Sequence, residues 1–368
     1  MPMEIHKLPE RWAKAFVGKL ASALLWRPKR RLWAQHLARV HKVLLVRVDN
    51  RVGEALLMTP LLEALAPYAQ VDLLVHAKTA RVLEGHPLIS ELLPLREKSL
   101  RFFPLSKEVA RLRARRWDVV VNCTNWSAPS SNASLLARWI APHTPVVGPQ
   151  CGIAHSLADV FVPQREDTSS EVLQRLHLLH PLGFPLSDNY ALSFRKPRLS
   201  PEFEAWLSQV TAQPLAVVNP GSRLRYRRVP QEVFVCLCQA LLQLGRTPLV
   251  VWGPGEETLA RQLVEAVNGC VLAPSTNLDE LAALMRCAGC TLTNNTGPMH
   301  LSVAVGAPTF SLFLHISMQR WGHLLLPHHC VDLTPFQHSS TAMAEYAVQA
   351  FTLFHENLGA LSGRLPAC

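Results

Sequence analysis

The chain has 368 residues, of which 49% are hydrophobic and 17% charged, and this balance excludes a disordered protein and favours two globular domains. No stretch of eighteen apolar residues is free of charge, so no membrane-spanning helix is expected. Ten Lys or Arg and two Glu lie in residues 1–42, which therefore hold +8 of the formal net charge of +10. A nucleic-acid-binding protein usually spreads such charge over a folded surface, so no nucleic-acid partner is expected.

Residues 1–41 are predicted to form a basic amphipathic extension. Arg11 to Trp26 has apolar residues at three- and four-residue spacing, and the basic run Lys29–Arg31 follows Pro28. Such a helix favours an anionic membrane surface, although it could instead pack on the first domain. The order of charge does not suit a signal peptide, and nine scattered cysteines favour a reducing compartment. We therefore expect a cytoplasmic protein, peripheral on a membrane.

Short apolar runs and helical patterns alternate from Lys42 onward, which predicts parallel sheets with crossover helices. In the first half a helix is expected over Gly53–Ala66. Strands are expected at Val43–Val48, Val71–Val75, Leu92–Leu95, Val119–Val121 and Val146–Val147.

Prolines interrupt this alternation at 185, 197, 201 and 214. They predict a linker over residues 186–214 between an N-terminal domain, 42–185, and a C-terminal domain, 215–368. In the second domain strands are expected at Leu215–Asn219, Leu249–Trp252, Thr291–Thr293 and Thr309–Phe313. Helices are expected from Pro230 to Leu244, from near Gly255, over Asn277–Arg286 and over Pro298–Val305. No GxGxxG motif follows either first strand, so a dehydrogenase is not favoured.

The turn Asp49–Glu54 follows the first predicted strand. Glu54 lies in the first turn of the next helix, where the helix dipole stabilises a carboxylate anion. Such a carboxylate could accept a proton from an attacking sugar hydroxyl. The alternative is that Glu54 only favours the helix terminus.

Two turns of the second half are suited to phosphate. Asn219–Pro230 follows a strand and carries four arginines, and Gly221 and Ser222 offer backbone NH groups and a hydroxyl. A solvated charge run is the alternative. In Thr293–His300, Asn and Thr are expected to cap a helix that begins at Gly297–Pro298, whose NH groups could bind pyrophosphate. The alternative there is an ordinary capped helix.

Together these turns resemble the bacterial lipopolysaccharide heptosyltransferases, glycosyltransferase family 9, over about residues 42–358. The motifs are the run Thr293–Phe313, Gly53–Leu56 with Pro60, Asn219–Ser222 with Arg227–Pro230, and Trp252–Glu257. The resemblance implies an α/β protein of the GT-B fold, with two Rossmann-like parallel-sheet domains facing across a cleft. The N-terminal domain would bind the acceptor and the C-terminal domain the nucleotide-sugar.

The resemblance also implies site residues. Glu54 stands where the family has its catalytic aspartate, Arg227 where it has a phosphate-binding lysine, and Asn295 where it has an aspartate that holds the donor sugar. The implied reaction is an inverting transfer from a nucleotide-sugar, ADP-linked in the family, to a lipid A-core or similar glycolipid, with no metal and no further cofactor. The implied catalytic residues are Glu54 and Arg227; the donor-binding residues are Ser222, Arg228, Gly253, Glu256, Asn295, Thr296, Gly297 and His300; and the acceptor-binding residues are Asn50 and Arg51.

Three other functions remain open. Asn295 in place of the aspartate favours a GT-B transferase with another donor, or with a protein acceptor. A weakly catalytic sugar-nucleotide-binding assembly protein would keep the donor residues without turnover. A UDP-sugar epimerase of similar architecture is disfavoured by the basic extension, for which an enzyme of soluble metabolites has no use.

Overall fold

A computed structural model describes residues 40–127 and 129–361. These residues form two compact units, unit 1 up to Asp188 and unit 2 from Asn189 onward. The amphipathic helix predicted over Arg11–Trp26 lies outside the described residues and stays a prediction. Within the described ranges, the structure contains no helix that is both long and apolar enough to cross a membrane.

Unit 1 is built on a six-stranded parallel sheet. Its strands are β1 (Lys42–Arg47), β2 (Gln70–His76), β3 (Glu91–Leu95), β4 (Val119–Asn122), β5 (Val146–Pro149) and β6 (Val160–Val162). They lie in the order β3-β2-β1-β4-β5-β6, and Val43 of β1 pairs with Val71 on one side and Val119 on the other. This is the doubly wound Rossmann order, in which the direction of winding reverses between β1 and β4.

The helices of unit 1 are short. They are α1 (Val52–Leu56), α2 (Thr59–Leu65), α3 (Ala77–Leu83), α4 (Glu97–Arg101), α5 (Lys107–Arg113), α6 (Ser131–Ile140), α7 (Gly152–Leu157) and α8 (Glu171–His177), with 3₁₀ turns at Phe103–Leu105 and His180–Leu182. The single helix predicted over Gly53–Ala66 is wrong, because the chain breaks between α1 and α2. Pro60 has no NH to donate to Leu56, and the Thr59 hydroxyl donates to that carbonyl instead, at 2.8 Å.

Unit 2 repeats the same topology. Its strands are β7 (Leu215–Asn219), β8 (Thr247–Val250), β9 (Val271–Leu272), β10 (Cys290–Asn294), β11 (Thr309–Phe313) and β12 (His328–Asp332). They are parallel, in the order β12-β11-β10-β7-β8-β9, so the winding reverses between β7 and β10. The strands predicted at 215–219 and 309–313 are confirmed to the residue.

The helices of unit 2 cover both faces of its sheet. They are α9 (Pro201–Val210), α10 (Gln231–Gln243), α11 (Glu257–Ala266), α12 (Leu278–Cys287), α13 (Gly297–Ala304), α14 (Met318–Trp321) and α15 (Ser340–Leu361), with 3₁₀ turns at Arg225–Arg227 and Thr334–Phe336. Helix α9 falls within the segment predicted as a linker. Pro201 is its first residue, and the Ser200 hydroxyl caps it by accepting from the Phe203 NH at 3.2 Å.

Candidate functional site

Most of the predicted site residues follow the strands at which each sheet reverses its winding, while Gly253 and Glu256 follow β8, the neighbour of β7. Ligands of such sheets bind at the carboxyl ends of the strands at this point. In unit 1 the turn after β1 carries Glu54, and in unit 2 the turns after β7 and β10 carry the predicted phosphate-binding residues. Each unit is therefore described from its own reversal point.

In unit 1 the Glu54 carboxylate is held between two arginines. Its side chain is only 4% exposed. Oε2 accepts hydrogen bonds from Arg47 Nη2 at 2.8 Å and from Arg175 Nη2. Arg47 ends β1 and Arg175 lies on α8, fully buried. Oε1 is 3.4 Å from Arg51 Nη1, its one polar contact among the described residues.

The arginines fix the charge of Glu54. Burial alone would raise the pKa of its carboxyl, but Arg175 and Arg47 outweigh burial and lower that pKa to about 2. The sequence analysis attributed the anionic state of Glu54 to the helix dipole. Because α1 has only five residues, and because two guanidinium groups contact the carboxylate directly, the arginines are the cause.

The loop after β4 holds these arginines in place. Asn125 Oδ1 accepts from Arg47 Nη1 at 2.7 Å and from Arg175 Nη2 at 3.0 Å. Arg175 Nη1 also donates to the Glu54 carbonyl at 3.2 Å, and Glu171 Oε1 lies 3.4 Å from Arg175 Nη2. The sequence analysis missed Arg47, Asn125 and Arg175. One signal was visible for Arg47, a cation inside an otherwise apolar strand.

The two predicted acceptor-binding residues lie at the surface beside this buried carboxylate. The Arg51 side chain is 59% exposed, and Asn50 is exposed at the preceding position. The Asp49 carboxylate fixes the turn by accepting from the Arg51 NH at 3.2 Å. The structure therefore brings Arg51 into contact with Glu54 and leaves Asn50 in solvent.

In unit 2 the turn after β7 is tied to the end of β10 by asparagine side chains. Asn294 is fully buried; its Nδ2 donates to the Pro220 carbonyl at 2.8 Å, and its Oδ1 accepts from the Val229 NH at 3.2 Å. Asn219 Nδ2 donates to the hydroxyls of Thr293 and Thr296 at 3.0 and 3.3 Å. The sequence analysis singled out Asn295 and missed Asn294, which shapes the turn.

The neighbours Arg227 and Arg228 have different surroundings. Arg228 Nη2 donates to the Ser222 carbonyl at 2.9 Å and to Glu256 Oε1 at 3.3 Å, so it braces the turn. Arg227 lies over the Tyr226 ring, with Cζ 5.3 Å from its centroid, and Nε donates to the Tyr226 hydroxyl. Within the described part of the chain, Arg227 has no carboxylate partner.

The Glu256 carboxylate lies close to the backbone at two glycines of this site, Gly221 and Gly253. A Cβ added at Gly221 would lie 2.1 Å from Glu256 Oε2, and one added at Gly253 would lie 3.1 Å from the same oxygen. A side chain at position 221 would displace the Glu256 carboxylate, whereas one at position 253 would require it to shift by only a few tenths of an ångström. Ser222, Gly253, Glu256 and Arg228, all predicted for the donor, therefore form one cluster.

The start of α13 differs from its prediction. Thr296 is the N-cap residue but its side chain makes no capping hydrogen bond; its hydroxyl donates to the Asn294 carbonyl at 3.3 Å. The expected side-chain cap is therefore wrong, and no side chain among the described residues bonds to the backbone NH of Thr296 or of Gly297. The Asn295 NH donates to the Leu312 carbonyl at 3.1 Å, while its side-chain Nδ2 is buried without a hydrogen-bond partner in the described chain.

His300 lies in the interior of unit 2. Its Nδ1 is 2.8 Å from His323 Nε2, and both rings are buried. Burial, with the neighbouring His300, lowers the pKa of His323 well below its ordinary value, so His323 is neutral at pH 7. The observed partner of His300 is therefore another ring, and its contact with a donor sugar stays a prediction.

Comparison with known proteins identifies relatives along most of the chain. The family model of glycosyltransferase family 9 (heptosyltransferase) matches residues 107–349. Lipopolysaccharide heptosyltransferase 3 of Escherichia coli K12 is 26% identical over 283 residues, 71% of this chain and 79% of that protein.

Solved structures share the fold. The glycosyl transferase family 9 protein of Veillonella parvula has a TM-score of 0.70 at 20% identity, over 88% of this chain and 98% of its own. The E. coli heptosyltransferase WaaC with ADP has a TM-score of 0.66 at 18% identity, over 86% and 99%. These matches, with the two parallel sheets, confirm the predicted GT-B fold class.

Proposed function

Since the chain belongs to glycosyltransferase family 9 and is therefore a glycosyltransferase, we propose that it transfers a sugar from a nucleotide-sugar to a lipid-anchored core oligosaccharide, with inversion at the anomeric carbon. The observation that carries this proposal is the buried Glu54 carboxylate, fixed by Arg47 and Arg175 at the reversal point of unit 1. A heptose donor is supported by the relative named lipopolysaccharide heptosyltransferase 3.

Unit 1 would activate the acceptor. Glu54 Oε2 is engaged by two guanidinium groups, so Oε1 is the atom that would receive the proton of the attacking hydroxyl. Arg51, the contact of Oε1, is mostly exposed and separated from it by 3.4 Å. It could turn from Oε1 to an anionic group of the acceptor, with Asn50 beside it.

Unit 2 would hold the leaving nucleoside diphosphate. Arg227 has no carboxylate to neutralise it in the described chain, and the start of α13 at Thr296 and Gly297 presents NH groups with no side-chain cap. The Ser222 hydroxyl would add a further donor. Cations and backbone NH groups placed beforehand stabilise the charge that develops on a leaving diphosphate.

The remaining predicted donor residues would bind the nucleoside and the sugar. Gly253 and Glu256 lie in the turn before α11, with Arg228 bracing that turn. We assign them to the nucleoside and Asn295 with His300 to the sugar. The buried, unpartnered Nδ2 of Asn295 supports this assignment, since a buried amide needs a hydrogen-bond acceptor.

We propose ADP as the nucleotide and no cofactor beyond the nucleotide-sugar. No group of three or more His, Cys, Asp or Glu side chains is arranged for a metal in the residues that the structure covers. Whether turnover needs a metal is tested by measuring it in the presence of a chelator. A lipid-anchored acceptor places the enzyme on the cytoplasmic face of the inner membrane as a peripheral protein, with residues 1–41 and the anionic surface in contact.

A second candidate keeps the reaction but changes a substrate. Asn295 in place of the family aspartate removes a negative charge from the proposed sugar site, which favours a donor other than ADP-heptose, or a protein acceptor. Thermal unfolding in the presence of ADP, UDP and GDP separates the nucleotides, because a ligand bound only by the folded state raises the Tm. The nucleotide-sugars of the preferred base then identify the donor.

The reaction itself is tested at Glu54. We expect Glu54→Gln to reduce turnover by about two to four orders of magnitude, the usual contribution of a general base. Glu171→Gln is the matched control, because Glu171 is also buried and also contacts Arg175. A Glu54→Gln enzyme that keeps more than a tenth of wild-type turnover, or a Glu171→Gln enzyme equally impaired, would refute the assignment.

A further inference from the structure

Unit 1 exposes two large apolar side chains on one short turn. Phe102 is 53% exposed and Leu105 is 86% exposed, and we refer to them together as the apolar tip. They lie between α4 and α5: Phe102 directly precedes the 3₁₀ turn Phe103–Leu105, and Leu105 is its last residue. Exposed apolar side chains scattered singly are normal, but neighbouring ones rimmed by polar residues are typical of an interaction site.

The apolar tip is held in position by its own fold. The Leu105 NH donates to the Phe102 carbonyl at 3.0 Å, so the turn is closed. Residues three apart in a turn of this type lie on the same side, which places Phe102 and Leu105 together. Phe103 packs the turn onto α6, with its ring edge-on to Trp139 at 5.8 Å between centroids.

Basic residues surround the apolar tip. Residues 96–116 contain eight Lys or Arg and two Glu. Both glutamates are engaged: Glu108 accepts from the Ser99 hydroxyl at 2.7 Å, and Glu97 is 2.9 Å from His76 Nε2. Six exposed cations of this segment have no carboxylate partner in the described parts of the chain, and four of them lie within six residues of the apolar tip: Lys98, Arg101, Lys107 and Arg111.

We propose that the apolar tip and these four cations dock onto an anionic lipid bilayer. Phenylalanine and leucine partition into the headgroup–acyl boundary, while nearby Lys and Arg are attracted by anionic headgroups. A protein partner fits less well, since a stable interface needs about 20–30 residues a side and this surface offers two apolar side chains. The proposal rests on the proposed function in one respect: docking would bring the enzyme to an acceptor that is anchored in the membrane.

Hydrogen exchange of the full chain locates the contact. We expect vesicles of phosphatidylglycerol and phosphatidylethanolamine to slow exchange of the amides of residues 98–111 several-fold at low salt. High salt should reverse the effect, and phosphatidylcholine vesicles should not produce it. Residues 1–41 are also predicted to bind membranes. Hydrogen exchange in their peptides is measured separately from exchange in peptides of residues 98–111, so the two contacts can be distinguished.

Variants of the same full chain test the side chains. We expect Phe102→Ser with Leu105→Ser to remove the slowed exchange at 98–111 and to lower vesicle co-sedimentation several-fold. The matched control is Leu324→Ser with Leu353→Ser, which removes two leucines of 56% and 57% exposure from unit 2. Lys107→Glu with Arg111→Glu should abolish the preference for anionic lipid.

Several results would overturn the proposal. Unchanged exchange at 98–111 with anionic vesicles would show that this surface does not meet the bilayer. Equal protection by phosphatidylcholine would remove the role of the cations, and equal protection by inorganic phosphate would indicate an anion site. Equal losses in the tip variant and the unit 2 control would refute the role of Phe102 and Leu105. Vesicle binding is measured without sugar transfer, so its failure leaves the proposed function standing, and the reverse also holds.

Discussion

Glu54→Gln should destabilise unit 1 at neutral pH. Glutamine would leave Arg47 and Arg175 buried without the charge that both of them contact. Removing one partner of a buried ion pair costs about 3–5 kcal/mol, because the remaining charge is uncompensated. Arg47 keeps its ion pair with Asp49, and Arg175 keeps its contact with Glu171 at 3.4 Å. We therefore expect the lower end, about 3 kcal/mol.

The stability that Glu54 contributes should fall as the pH is lowered. The pKa of Glu54 is lowered from 4.5 to about 2 in the folded protein, so the charged carboxylate stabilises the fold by about 3 kcal/mol. This contribution is fully present above pH 4.5 and is lost as the pH falls toward 2, with about 2 kcal/mol gone at pH 3. Glutamine does not titrate. The difference in stability between wild type and variant should therefore shrink in acid.

The measurement must read unit 1 alone, because the chain has two units and a single transition is not assured. Urea unfolding followed by hydrogen exchange in β1 and β4 peptides meets this need, at pH 7, 5, 4 and 3. We refer to the contacts of Arg47 and Arg175 with the Glu54 carboxylate as the arginine clamp. A difference below about 1 kcal/mol at pH 7, or one that does not change between pH 7 and 3, would refute the clamp as the cause of the lowered pKa of Glu54.

Three further predictions concern unit 2 and the chemistry. Arg227→Ala should weaken ADP binding by about 1.5–3 kcal/mol, the range for a charged hydrogen bond; if calorimetry shows no change for Arg227→Ala or for Arg228→Ala, the diphosphate binds elsewhere. Turnover should survive EDTA, and a complete loss that magnesium or manganese restores would contradict the metal-free proposal. Asn295→Asp should lower the KM for ADP-heptose about tenfold by restoring a charged acceptor, with ADP affinity unchanged; an unchanged KM would remove Asn295 from the sugar site.

The strands of this fold were largely predictable and the helix ends were not. β7 and β11 are buried strands that each begin directly after a proline, Pro214 and Pro308, so their starts are visible in the sequence. β9 has two residues, too few for any pattern. Apolar residues at helical spacing predict one helix over Gly53–Ala66, whereas the missing NH of Pro60 breaks the chain between α1 and α2.

The candidate site was also only partly predictable from the sequence. The turns after β1, β7 and β10 could be located because each directly follows a recognisable strand. The partners of those turns could not, since Arg175 lies 121 residues from Glu54 and nothing local connects them. Asn294 was passed over for its neighbour because hydrogen bonds from β10 to the turn after β7 depend on strand order, which one sequence does not state. Thr296 looked like a cap, but its hydroxyl bonds the Asn294 carbonyl instead.

The arginine clamp has a consequence for the proposed chemistry. A carboxylate with a pKa of about 2 is a weak base, and it would not remove a proton from a resting sugar hydroxyl. A hydroxyl that has begun to bond to the anomeric carbon is different, because its oxygen becomes positive and its proton strongly acidic. Under the proposed mechanism Glu54 would accept the proton from that species, so proton transfer would accompany or follow C–O bond formation. The arginine clamp would thus lower the basicity of Glu54 while it keeps the carboxylate charged and leaves Oε1 as the atom that accepts the proton.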